Sequence, residues 1–256
     1  MAWGRKKSAT SDLPATAGED AGASARVLSN LIETGARVQA PAIAAYVERL
    51  HRKFPDATPA AMVTKLEKHY LAAVTASGAA VGSAALVPGV GTLIALSLVA
   101  AETALFLETT AVFILAVAEV HGISVADKER RRTLVLGALA GDDGKHAVAR
   151  LLGGGRTNGA WLSDGAASTV PVPALAQLNG KLMRYFLKKY TLKRGAMVAG
   201  KVLPAGIGAV VGAVGNRMMG KKIVENARSA FGAAPARWAG ATTLRVLPAV
   251  GDNTGN

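Results

Sequence analysis

The 256-residue chain is half hydrophobic, only 5% aromatic, free of cysteine, and carries a formal charge of +13. That length admits one sizeable core or two smaller ones, and the lack of thiols excludes disulfides, thiol catalysis, iron–sulfur clusters and thiolate zinc sites. The charge is concentrated: residues 1–180 hold 17 Lys or Arg against 15 Asp or Glu, whereas residues 181–256 hold 13 against 2, which predicts an electropositive C-terminal third.

Residues 1–23 are rich in Ser, Thr, Ala, Gly and charge without periodicity and read as a disordered tail. Their basic start has no apolar run behind it, so it does not read as a signal peptide. Ser24 is placed to cap a short helix ending at Gly35. A second helix runs from about Pro41 to Lys53, and a third opens with Thr58 as cap and Pro59 at the first helical position, where a missing N–H costs nothing.

From Leu71 to Ala101 there is no ionisable side chain over 31 residues, and Pro88, Gly89 and Gly91 interrupt the run. The spacing predicts a helical hairpin at 71–118, with one arm to about Val87 and the other from about Thr92. At helical rise the arms reach ~25 Å and ~40 Å against a hydrocarbon core of roughly 30 Å. Glu102 and Glu108 must then face protein, water or an interface. A re-entrant hairpin and a soluble bundle core both satisfy this.

His121 and Gly122 end the second arm, and Ser124 with Asp127 three residues later reads as a capping pair for a helix carrying DKERRR and then LVLGALAG. Lys and Arg there and at Arg49–Lys68 bracket the hairpin, which sets both of its ends on the cytoplasmic side if it inserts; a solvated face on two ordinary helices is the other reading. Beyond a helix near Lys145–Leu152 and a glycine-rich loop, Pro173 opens an amphipathic helix with Leu175, Leu178, Leu182, Tyr185 and Phe186 on one face. Lys181, Arg184, Lys188 and Lys189 are its candidate contacts to an anionic surface.

After Pro204, residues Gly208, Gly212, Asn216 and Gly220 recur every four positions and form a groove on one helix face. Gly78 and Gly82 form a matching GxxxG in the first arm, so the two segments are expected to lie against each other. Asn216 is the polar side chain able to hydrogen-bond across that contact.

Chemistry is thinly represented. PGVGT lacks the lysine and spacing of a phosphate-binding loop, and GIGAVVG follows no strand pattern. Glu102, Glu108 and Glu119 are the only candidate acidic site, with 108 and 119 on nearly one face, while His51, His69, His121 and His146 share no ligand spacing. No catalytic residue, cofactor or metal site is expected. The basic C-terminal helices lack a helix-turn-helix and interleaved aromatics, which argues against nucleic acid.

The segments VPGVGT at 87–92, AEVHG at 118–122 followed by D-x-E-x-R at 127–131, and LPAGIGAVVGAVGN at 203–216 together resemble the EcsC family, named for a bacterial protein encoded beside an ABC transporter. The resemblance covers most of residues 60–232. It sets Pro88, Gly91, Gly122, Asp127, Pro204, Gly208, Gly212 and Asn216 at helix breaks, caps and close contacts, and implies a helical fold associated with membranes, transport or secretion. It implies no enzymatic activity.

The expected fold is all-α, a multi-helix bundle around a small-residue-rich apolar hairpin, as a single helical domain over 24–235 with a flexible tail over 236–256. The expected role is a membrane-associated accessory protein on the cytoplasmic side, with an anionic membrane surface or a membrane protein as partner. A soluble cytoplasmic scaffold and an enzyme with an unrecognised carboxylate site are the alternatives.

Overall fold

The computed structural model describes residues 40–84, 92–141, 144–146, 162, 171, 173–184 and 207–238. Those residues form an all-α bundle with no strand among them. The helices are α1 (Ala40–Lys53), α2 (Pro59–Ala84), α3 (Thr92–Val120), α4 (Lys128–Ala140), α5 (173–184) and α6 (Ile207–Phe231), and residues 144–146 are helical as well. The expected tail over 1–23, the helix after Ser24 and most of the last twenty residues lie outside the described residues.

Local chemistry explains the boundaries. Thr58 caps α2, its Oγ1 accepting from Ala61 N–H at 3.2 Å, and Pro59 follows at the first helical position. α3 closes on Gly122, whose φ of 72° is the left-handed region that a side chain disfavours. Gly122 N–H donates to the Glu119 carbonyl and Ile123 N–H to the Ala118 carbonyl, the paired bonds that stop a helix at such a glycine. The next helix starts later than the Ser124–Asp127 pairing implies. Asp127 is itself the cap, its Oδ1 accepting from Arg130 N–H at 2.8 Å, while Ser124 Oγ only reaches Ala126 N–H at 3.4 Å. Asp127→Ala is expected to cost about 1 kcal/mol, read as a fall of about 3 °C in Tm by circular dichroism.

α3 is the axis of the bundle and touches α1, α2, α4 and α6. Its second half is enclosed, every residue from Phe113 to Ala118 being buried. α4 is enclosed too: all eight residues from Thr133 to Ala140 are buried, as an apolar run hydrophobic on all sides requires. The basic turn before it is half-buried rather than a uniformly solvated face, and Arg131 folds back to donate to the Val125 and Ala126 carbonyls at 2.8 and 2.7 Å. α5 joins α4 through Asn179, which accepts from Thr133 Oγ1 at 2.8 Å and donates to the Glu129 carboxylate at 2.8 Å.

α2 and α6 run antiparallel in the closest contact of the bundle. Gly78 meets Gly212, Gly220 meets Val74 and Leu71, and farther along Arg228 donates to both carboxylate oxygens of Glu67 at 2.7 and 2.5 Å. The described chain ends with Trp238, whose indole N–H donates to the Ala57 carbonyl at 3.1 Å while its ring meets His51 edge-on at 4.6 Å.

Candidate functional site

The two glycine-spaced segments lie against each other at Gly78 and Gly212. A Cβ on Gly78 would press on the Gly212 backbone, with the Gly212 carbonyl carbon at 2.8 Å and Asn216 Cγ at 2.9 Å; a Cβ on Gly212 would press on the Gly78 carbonyl. Gly220 continues the groove farther along α6, where a Cβ would lie 2.9 Å from Val74 Cγ2. Gly82 is buried one turn beyond Gly78, and Gly208 sits in the first turn of α6.

Asn216 does more than bridge two helices. Its Nδ2 donates to Glu102 Oε1 on α3 at 2.7 Å and reaches Ser77 Oγ on α2 at 3.5 Å, so three helices converge on one amide. Glu102 and Asn216 are 1% and 2% exposed. A carboxylate in an otherwise apolar run is tolerable because it faces the interior of the bundle and accepts a hydrogen bond there. One level down, Tyr70 OH pairs with Thr110 Oγ1 at 2.9 Å and its ring stacks on Phe113 at 4.6 Å.

The register of these contacts sets Ala84, Thr92 and Ile207 at the same end of the bundle. Between that end and the Asn216–Glu102 pair, residues 78–84, 92–101 and 207–215 contain no charged side chain. This end also shows apolar surface, Val210 being 62% exposed and Val214 50%, and just beyond the polar pair Met218 is 64% exposed and Leu105 on α3 50%. Val210, Val214 and Met218 are four residues apart and form a single stripe along α6. Arg217, beside Met218, and Lys221 and Lys222, just beyond it, are exposed.

The three carboxylates of α3 do not assemble. Glu102 is buried, Glu108 exposed and Glu119 half-buried, and no group of three or more His, Cys, Asp or Glu side chains among the described residues is arranged to hold a metal ion. Burial raises the Glu119 carboxyl above the ordinary carboxylate value. A raised native value gives stability that is full below the ordinary range and is lost as pH climbs through the raised value. Glu119→Gln is therefore expected to raise Tm at about pH 7, with the gain shrinking toward about pH 4, in melts followed at both.

Of the other expected residues, Gly122 and Asp127 lie at the opposite end, at the α3–α4 turn. Lys181 and Arg184 are exposed on α5, which reaches the bundle beside the first turn of α4. Pro88, Gly91, Pro204, Lys188 and Lys189 lie outside the described residues. Three features escape a sequence reading: the Glu67–Arg228 pair, the Asn179 link, and Gly141, whose positive φ of 62° and place against Asn226 leave no room for a side chain. Of these, only the Gly141 turn after LVLGALA has a visible signal, a lone glycine closing an apolar helix.

Comparison of the chain with family models, with curated proteins and with solved structures gives no match. Ala100–Val120 is long and apolar enough to cross a membrane, the one such stretch among the described residues, and 61% of its most apolar window is buried inside the protein.

Proposed function

We propose that this is a non-enzymatic, membrane-associated helical protein of the EcsC type, held at the cytoplasmic face and accessory to transport or secretion. The observation that carries membrane association is the exposed apolar stripe Val210–Val214–Met218 on α6, whose first two residues lie where the described residues 78–84, 92–101 and 207–215 carry no charge. An exposed apolar patch rimmed by polar residues marks a contact with a protein or a membrane when it is large. The family part of the proposal rests on the VPGVGT, AEVHG and LPAGIGAVVGAVGN segments.

A second reading is a soluble scaffold whose apolar stripe is covered by a protein. It draws on the burial of the second half of α3, which makes that stretch a core element as much as a candidate span. Fractionation of expressing cells separates the two. Membrane association predicts a protein that sediments with membranes at low and high salt, since apolar contact survives screening. Recovery in the supernatant at every salt concentration would leave the scaffold reading.

A further inference from the structure

We infer that the charge-free end is a three-helix wedge that enters one leaflet of an anionic bilayer, with the Asn216–Glu102 level at the hydrocarbon boundary and Arg217, Lys221 and Lys222 among the headgroups. This rests on the membrane reading above and adds which helices enter, how deeply, and what lipid they meet.

Depth follows from register. α3 rises ten residues from Ala101 back to Thr92, and α6 nine from Gly215 back to Ile207, so the wedge stands ~15 Å above the polar pair, half of a hydrocarbon core of roughly 30 Å. Crossing both leaflets would need ~30 Å. That distance would carry Glu108 and the exposed Arg217, Lys221 and Lys222 into lipid, where charged side chains are strongly disfavoured. One leaflet fits the charge pattern of all three helices; two leaflets fit none.

The side chains agree with that depth. Val210 and Val214 project from the wedge, and Met218 and Leu105 project at its foot. The polar groups at that level, Glu102 and Asn216, are turned inward to each other. Arg217 at that level and Lys221 and Lys222 more than a turn below it reach headgroups by laying their alkyl stems along the protein surface. Those cations also disfavour a parallel pairing with a second copy of the chain, because such a two-fold contact along the stripe would bring Arg217, Lys221 and Lys222 against their own counterparts.

The natural chain has no cysteine, so single-cysteine variants report depth cleanly. The full chain carrying Ser83→Cys, Val210→Cys, Val214→Cys or Ser229→Cys, all exposed positions, is labelled with an environment-sensitive fluorophore. Each is floated with vesicles of phosphatidylcholine alone or mixed with phosphatidylglycerol, after circular dichroism confirms native helicity. The expected result is that labels at 83, 210 and 214 are shielded from external iodide and quenched by lipid nitroxides, the label at 229 stays open to iodide, and iodide trapped inside the vesicles quenches none. Binding should weaken about 30-fold on phosphatidylcholine alone, from Arg217 and Lys221 near the surface, Lys222 being paired with Glu225 at 3.2 Å. Co-flotation with 210 and 214 open to external iodide overturns the wedge but leaves membrane association standing. Quenching of 83 by internal iodide overturns the single-leaflet depth, and equal binding to both vesicles overturns the headgroup assignment. Absence of flotation on either vesicle overturns the wedge together with the reading it rests on.

Discussion

Gly212→Ala is expected to destabilise the protein by about 2–3 kcal/mol, although alanine is the better helix former by about 1 kcal/mol. The intrinsic preference loses because the added methyl meets the backbone carbonyl of Gly78, not a side chain that can rotate away. α2 and α6 must separate, and every contact along their shared length loosens with them. Gly78→Ala should behave alike and also press on Asn216. The control is Gly180→Ala on α5, where a Cβ meets nothing within 4 Å; there the helix preference is unopposed and a gain of about 0.5–1 kcal/mol is expected. Urea melts of the three variants decide it, and a stabilised Gly212→Ala would mean that the helices do not touch at that point.

Asn216→Leu is expected to cost about 2 kcal/mol, with Ser77→Ala within about 0.5 kcal/mol of the natural chain. The leucine fills similar volume but removes a donor 2.7 Å from a carboxylate that is 1% exposed. Deleting one partner of a hydrogen bond inside a core leaves the other unsatisfied, at a cost of about 1–3 kcal/mol. Ser77 is different: its contact to Asn216 is 3.5 Å long, and its hydroxyl is already donated to the Val74 carbonyl at 3.0 Å. The asymmetry is read from the same melts, and equal costs for the two variants would contradict it.

The contrast between these sites and the rest of the molecule shows what a sequence pattern can carry. Thr58–Pro59, Gly122 and the Gly212–Asn216–Gly220 repeat act through their own backbone or their own helix face, so spacing alone places them. The pairing of Gly78 with Gly212 is also legible, because small residues at matching intervals have few other uses in an apolar helix. Glu67 and Arg228 are different. They stand 161 residues apart, each in a helix with several charges, and no local rule selects that pair. The burial of α4 is obscured by the basic turn in front of it, since charge at a helix start suggests exposure that the last eight residues of the helix do not have. The shared end of α2, α3 and α6 falls between these cases: each charge-free run is visible in the chain, but their alignment at one level depends on register.

Membrane attachment through that end is measured most directly with the triple variant Val210→Gln, Val214→Gln, Met218→Gln. These side chains are at least half exposed, and glutamine keeps both the helix and the net charge, so the fold and the electrostatic attraction should persist. Loss of about 1 kcal/mol of apolar transfer at each position multiplies to an affinity for phosphatidylglycerol-containing vesicles about 100-fold weaker. A triple variant that melts like the natural chain and floats about 100-fold less readily is the expected result, whereas unchanged flotation would show that another surface makes the contact.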